Sequence, residues 1–345
     1  MHTKAPMPLV TIIVPVYNAA PYLRECLDSI VGQSYPDREI LVMDDASTDQ
    51  SAEIIAEYGN RLVHHRQPVN RGQFANVNDG IILARGEYIC VYHADDIYEP
   101  AIVQREVDFL QNQPGAGAVF CLDTFIDATG NEYGRLSIPP ELRTGKPLSY
   151  EVILNALLTY KNRFLVGPTS MVPAAVYREL GVYRGDEFHI ASDLEMWARI
   201  AKHYPIGILT EHLHRYRHGH GNLSQNYYRL RADTEIHFRI LDAHIADGGR
   251  ALVTRSAFAA HEAHRAEDRL MVAINEYIRD NRSAAQRHLR DVRINQLLGS
   301  TQVQGLRLSA LLVIMRLLTR LPRIALVANL FYRRWHGARK YSLKA

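Results

Sequence analysis

Residues 10–45 read VTIIVPVYNAAPYLRECLDSIVGQSYPDREILVMDD. Val10 to Val16 is a β-branched run with the length of a buried strand, and residues 40–44 (ILVMD) are a second. Between them Leu23, Cys26, Leu27, Ile30 and Val31 recur at helical spacing, with Asn18 placed to cap that helix. The pattern extends outward. Ser47 and Gln50 have capping-box spacing and predict a helix near 48–58, and residues 62–66 predict a third strand. Phe74, Val77, Ile81 and Ile82 then make one helix face, 87–92 leads a strand into Asp95-Asp96, and 118–123 is a further strand. Strand and helix in alternation predict an α/β fold on an open, mostly parallel, doubly wound sheet. Residues 124–190 read as irregular, with Pro139-Pro140 and Gly167-Pro168 as breakers. Beyond them 192–203 is a clear helix. After the Gly/His-rich stretch 218–222 the chain reads helical over 232–247, 255–280 and 283–298.

A chain of 345 residues suffices for one large domain with an appendage, or for two domains. Its 47% apolar and 22% charged residues are those of an ordinary globular protein. Cys26, Cys90 and Cys121 lack metal-ligand spacing and are too few to staple such a fold, so they read as small buried hydrophobes of a reducing compartment. No apolar signal segment follows Met1, which points to the cytoplasm. The net charge of +3 hides an asymmetry. From Val292 onward there is no Asp or Glu but there are ten cations; the remainder holds 30 Lys and Arg against 37 Asp and Glu, a net of −7. An acidic body with a basic, apolar tail points to an anionic surface as the tail's partner.

Ligands of open α/β sheets sit beyond the carboxyl ends of the strands. Three features fall there: Pro15-Val16-Tyr17-Asn18, Asp44-Asp45 and His93-Ala94-Asp95-Asp96. Carboxylates converging from two strand ends are costly unless a positive charge lies between them. Mg2+ or Mn2+, which takes one or two carboxylates together with phosphate oxygens, is the simplest candidate. Taken singly, the same residues also read as helix caps and a turn.

The order and spacing of these pieces, VTIIVPVYNAAPYLRECLDSIVGQSYPDREILVMDDASTD and then NRGQFANVNDGIILARGEYICVYHADDIYEP, resemble the family 2 glycosyltransferases of the GT-A fold. The resemblance is dense over about 9–100 and thinner to about 224. It implies a GT-A catalytic domain over 1–225, its nucleotide-binding part at about 8–123 and its acceptor part at about 124–225, followed by a helical C-terminal region over 226–345. It further implies that Pro15, Val16 and Tyr17 pack against the nucleotide and that Asp45 accepts a hydrogen bond from the base. Uracil, thymine and guanine offer a ring N–H for that bond, so a UDP-, dTDP- or GDP-sugar donor is expected. The family's metal-binding D-x-D falls on His93-Ala94-Asp95. Asp95 is therefore the expected ligand of Mn2+ or Mg2+ and Asp96 the second choice, while His93 departs from the pattern and lines the donor site with Ala94. Asn70, Arg71, Gly72, Asn78 and Gly80 match the stretch that lines the donor pocket; Val77 stands where a basic residue is common, with Arg71 as its substitute. The catalytic base falls on Asp193 in Ser192-Asp193-Leu194-Glu195-Met196-Trp197, with Glu195 in reserve. Ser192 and Glu195 also have capping-box spacing, and at that place the helix dipole lowers an aspartate pKa whereas burial raises it. Residues 216–224 (YRHGHGNLS) resemble a loop that closes over donor and metal; His218 and His220 flank the position of the family's histidine, and His218 is the expected further metal ligand, since a neutral imidazole can ligate a metal or hydrogen-bond phosphate.

Arg316, Arg320 and Arg323 recur at i, i+4 and i+7 among aliphatics within a basic stretch of about 306–345, which predicts an amphipathic helix kinked at Pro322. Arginines at about 2.5–3.5 kcal/mol each argue against its spanning a bilayer. It either packs on the catalytic domain or lies peripherally on the inner face of a membrane, with Tyr332 and Trp335 at the headgroup boundary; a lipid-linked acceptor would explain such a tail. Nucleic acid is not an expected partner, because the cations are interleaved with aliphatics rather than stacking aromatics. The activity that the resemblance implies is inverting transfer of a sugar to a hydroxyl of a glycan or lipid-linked acceptor, in cell-surface polysaccharide synthesis. Two rivals stay open. One is a membrane-associated nucleotide-sugar-binding or assembly protein whose site has decayed. The other is a sugar nucleotidylyltransferase, which would want a Gly-rich, Lys- or Arg-bearing loop after the first strand.

Overall fold

The computed structural model describes residues 7–219, 230–297 and 302–336. The chain divides into two compact units, Met1–Ile153 with Asn162–His220, and Leu154–Lys161 with Gly221–Ala345.

In the first unit β1 (Val10–Val16), β2 (Arg38–Asp44), β3 (Val63–Arg66) and β4 (Tyr88–Val91) run parallel in the spatial order β3-β2-β1-β4. β1 and β2 are buried almost throughout, as parallel strands covered on both faces must be. Helices α1 (Ala20–Val31), α2 (Ser51–Ala56) and α3 (Gln73–Leu83) make the crossovers. Next come β5 (Ile97–Tyr98), α4 (Ile102–Asn112), β6 (Ala118–Ile126) and β7 (Glu132–Arg135). They are followed by α5 (Tyr150–Tyr160), whose residues from Leu154 belong to the second unit, and then by β8 (Ser170–Pro173), α6 (Ala174–Leu180), α7 (Gly185–Phe188), α8 (Ser192–His203) and β9 (Ile206–Arg217). The sheet continues β4-β8-β6-β9-β5, with β7 beside β6. The α/β class and the open sheet are as expected. Parallel pairing is confined to β3-β2-β1-β4 and to β6–β9, and the other described pairings are antiparallel.

Pro15 sits in the middle of this sheet, where a missing N–H would normally break a ladder. It is tolerated because the β1–β4 ladder ends at Ile13, whose C=O accepts from Tyr92 N–H. Pro15 lies two residues on, facing the same side, while β2 still pairs with β1 through Val16 and Asp44. Past Ile13 no further β1–β4 pair forms.

Residues 124–190 are more ordered than the breakers suggest. Ile153, Leu154, Leu157 and Leu158 of α5 are buried at helical spacing, and β8 is a short buried strand between β4 and β6. On α3, Val77 and Ile81 are buried as expected, but Ile82 is 75% exposed, because the helix turns a narrower face to the sheet.

The second unit contains α9 (Ile236–Ala246), α10 (Arg255–Ile278), α11 (Arg282–Arg290), α12 (Ile294–Leu297), α13 (Gln302–Leu318) and α14 (Ala325–His336). Leu270, Ile274 and Tyr277 of α10, Leu289 of α11 and Leu312 and Met315 of α13 belong to one buried cluster. The single arginine face expected in the tail does not form. α13 ends at Leu318; Arg316 donates to the carbonyls of Leu289 and Val292, and Arg323 to that of Ile278. Carbonyls at or just past the ends of α10 and α11 attract these cations inward. Among the described residues no helix is long and apolar enough to cross a membrane.

Gly86 N–H donates to Thr11 Oγ1 at 2.9 Å, and a Cβ at Gly86 would stand 2.5 Å from the Thr11 backbone nitrogen and 2.7 Å from Tyr88 O. Gly86→Ala should therefore cost about 1–3 kcal/mol, read as a lower urea midpoint at unchanged m-value.

Candidate functional site

Side chains lace the carboxyl ends of β1 and β2 together. Asn18 Oδ1 accepts from Thr48 N–H at 2.8 Å, and Ser47 Oγ accepts from Asn18 N–H at 3.1 Å. Ser51 Oγ and Asp49 Oδ2 accept from Ala19 N–H and Ala20 N–H, each at 3.0 Å. The start of α1 is thus capped from the neighbouring loop rather than by Asn18. Ser47 is likewise drawn away from the capping box with Gln50, and α2 begins only at Ser51. Above this lacing Tyr17 is exposed, while Val16 is buried.

Asp45 is buried, and its two carboxylate oxygens accept from Arg71 N–H and Gly72 N–H, both at 2.8 Å. Asn70 Oδ1 also accepts from Gly72 N–H, at 3.1 Å, and Gly72 has a φ of +85°, which only glycine adopts freely. One residue further, Gln73 Nε2 lies 3.3 Å from His93 Nε2. Residues 71–73 therefore join the tip of β2 to the turn after β4, and Asp45 and His93 lie on one connected rim. Other residues of this stretch have different tasks. The Arg71 guanidinium pairs with Asp79, and Val77 is in the core. Asn78 holds the backbone of Tyr183 with both ends of its amide, at 2.8 and 3.1 Å. A Cβ on Gly80 would meet Ile13 Cγ2 at 2.7 Å, so this glycine seats α3 on the sheet.

Ligand atoms of His93, Asp95 and Asp96 lie within 4.8 Å of one another; His93 and Asp95 are half-buried and Ala94 is buried. Behind them β9 grips the turn. Asp96 Oδ1 accepts from Arg217 N–H at 2.8 Å, and Oδ2 lies 3.2 Å from His214 Nε2, off the axis of a hydrogen bond. His214 Nδ1 is 2.8 Å from Asp123 Oδ1, and all three side chains are buried. Burial opposes charge on His214, but the two carboxylates outweigh it and push its pKa up to about 10; burial raises that of Asp96. The Arg217 guanidinium, 2% exposed, donates to Asp95 O at 2.9 Å and to Glu25 Oε2 at 2.6 Å, and lies 4.8 Å over the Tyr22 ring. An imidazole beside two carboxylates is a donor set for a borderline divalent ion. Asp96 Oδ2, buried and without a hydrogen bond but ion-paired with His214, is the buried end of that set. His218 stacks on Phe125 and contacts Tyr133. His220 and the rest of that loop to Ser224 lie outside the described residues.

Asp193 stands half-buried in the first turn of α8. Burial raises its pKa to about 6, against a 2.6 Å hydrogen bond from Leu194 N–H. The capping box with Glu195 is absent: the Ser192 hydroxyl donates to His189 O at 2.7 Å. Glu195 is buried and chelated by Arg199 at 3.0 and 2.9 Å, with Arg184 3.4 Å away.

The family model described as glycosyl transferase family 2 matches residues 11–181. An uncharacterized glycosyltransferase of Methanocaldococcus jannaschii is 31% identical over 217 residues, 61% of this chain and 71% of that protein. This chain belongs to glycosyltransferase family 2. An uncharacterized glycosyltransferase of Rickettsia typhi is 28% identical over 196 residues, 56% of this family 2 chain but only 59% of its own length. Among solved structures, TarS residues 1–349 of S. aureus in complex with UDP aligns with a TM-score of 0.53 at 19% identity, covering 86% of this chain and 91% of that one. Mannosyltransferase PcManGT of Pyrobaculum calidifontis, in complex with GDP-Man and Mn2+, aligns with a TM-score of 0.50 at 20% identity, covering 97% and 89%. These two likenesses concern the fold.

Sequence reasoning missed Gln73, Glu25, Asp123 and His214. The alternation of His212, His214 and Tyr216 along 206–217 is the period of a strand and could have marked His214 as facing one side. Replacing His214 by Leu would leave Asp96 and Asp123 buried without their shared cation. We expect a loss of about 3–5 kcal/mol at neutral pH. The deficit should shrink in melts at lower pH, where Asp96, its pKa already raised, takes up a proton.

Proposed function

We propose that the protein transfers a sugar from a UDP-, dTDP- or GDP-sugar to a hydroxyl of a glycan or lipid-linked acceptor, with inversion at the anomeric carbon. The observation that carries this reading is the rim on which Asp45, residues 71–73 and the His93–Asp96 turn meet. Solved proteins of the same fold hold UDP, UDP-GlcNAc, or GDP-Man with Mn2+, which supports a nucleotide-sugar donor and a divalent ion. We assign catalysis to 1–225 and a separate helical role to 226–345.

In this reading each Asp45 oxygen, already accepting one backbone N–H, has a second lone pair for a ring N–H of the base. Pro15, Val16 and Tyr17 pack on the nucleotide, and Asn70 to Gly72 close its edge. Asp95 holds the metal, helped by His93 and by Asp96 Oδ2, and Ala94 keeps the turn close to the diphosphate. A bound Mn2+ or Mg2+ would neutralise charge on the departing diphosphate. Asp193 takes the acceptor proton while the hydroxyl oxygen bonds to the anomeric carbon from the face opposite the breaking carbon–phosphate-oxygen bond. With its pKa raised to about 6, Asp193 is ionised at neutral pH yet more basic than an ordinary aspartate. Glu195 cannot readily substitute, being held by two arginines. A decayed site is disfavoured, because Val77 is a core residue and not a lost pocket cation. The three buried free thiols fit a cytoplasmic location, which a lipid-linked acceptor would narrow to the inner face of a membrane.

Transfer should rise about tenfold per pH unit up to pH about 6 and level off above it. Asp193→Asn should lower kcat by roughly 10²–10⁴ and leave donor binding unchanged; full activity of this variant would mean that another group is the base. Thermal shifts with UDP, dTDP and GDP should single out one nucleotide, with a larger shift when Mn2+ is present. No shift with any of the three would remove the donor assignment.

A further inference from the structure

α13 is apolar on the side turned away from its own core, and α14 exposes leucines beside Asn329, Arg333 and Arg334. Leu308, Leu312 and Met315 are buried, whereas Leu306, Val313, Ile314 and Leu317 stand 45–65% exposed. Leu321 and Ile324 of the following turn and Leu326 and Leu330 of α14 are exposed as well. A helix that is apolar all round normally has both sides covered, and isolated proteins rarely leave such a run of large aliphatics to water.

The charge around this surface has one sign. Arg307, Arg320, Arg333 and Arg334 are exposed, and no Asp or Glu occurs from Val292 to the end of the chain. Arg316 and Arg323 are held inward on carbonyl groups, so aliphatics fill the face and arginines flank it.

We propose that this face of α13 and α14 lies on an anionic phospholipid bilayer, its leucines and valine at the acyl boundary and its arginines among the headgroup phosphates. No described helix can span a bilayer, so the contact runs along the surface. A second copy of the chain fits less well. Isologous pairing would bring the same arginines together, with no carboxylate in the segment to meet them. The inference rests on the helical unit alone and is independent of the transferase reading.

The test is flotation of the full chain with vesicles of phosphatidylglycerol and phosphatidylcholine in equal parts, and with vesicles of phosphatidylcholine alone. The chain should float with the anionic vesicles and bind at least roughly tenfold more weakly to the neutral ones or in high salt. The triple variant Val313→Ser, Ile314→Ser, Leu317→Ser should lose roughly tenfold or more of the binding. Arg307→Gln with Arg320→Gln should weaken it about fivefold per arginine. All five positions are exposed, and an unchanged melting temperature checks that each variant is folded. Failure of the intact chain to float, or flotation that neither variant alters, overturns the proposal. So does a concentration-dependent dimer in sedimentation that the serine variant dissolves, which would give the face to a second copy. Nucleotide thermal shifts on the same samples report on the donor site separately.

Discussion

The β1–β4 ladder stops at Ile13, and the site is the consequence of how side chains manage the gap that opens beyond it. Two adjacent strand tips that no longer pair must satisfy their turns by other means. On one side Asp45 does so by accepting two backbone N–H groups of the 71–72 segment. On the other, β9 inserts His214 and Arg217 behind the turn after β4. The two solutions meet where Gln73 reaches His93. A rim assembled this way carries acceptors and carboxylates on rigid supports, which is what recognition of a nucleotide and a cation demands.

The parallel half of the fold was legible because its strands and helices obey simple periods. β1, β2, α1, α3 and α8 all lie where their apolar spacing predicts. The caps were not legible. Asn18, Ser47 and Ser192 have the right chemistry for local capping, but each bonds elsewhere, two of them across to the adjacent strand loop. Sequence spacing reports which groups can bond, not which partner tertiary structure brings nearer. The helix α5 was hidden by the prolines and glycines on either side of its apolar stripe.

At the site the division is similar. Asp45, Asp95 and Asp96 stand at strand ends, and that much follows from order and spacing alone. His214 could not be singled out in a chain of 16 histidines, since its importance comes from two carboxylates 91 residues and 118 residues away along the chain. The tail failed in an instructive way. Its arginines were read as a helical face, but carbonyls at or just past the ends of α10 and α11 claimed two of them, and aliphatics of α13 were left outside. Linear charge patterns predict a surface only when no buried acceptor competes for the cations.

Pro15 has an effect that reaches past its own turn. With no amide hydrogen to offer, and with the neighbouring ladder already finished, it withholds the donor that an added strand would need there and leaves only its carbonyl. Strand addition at this edge, whether by a stray loop of the same chain or by a neighbouring molecule, is thus disfavoured at Pro15.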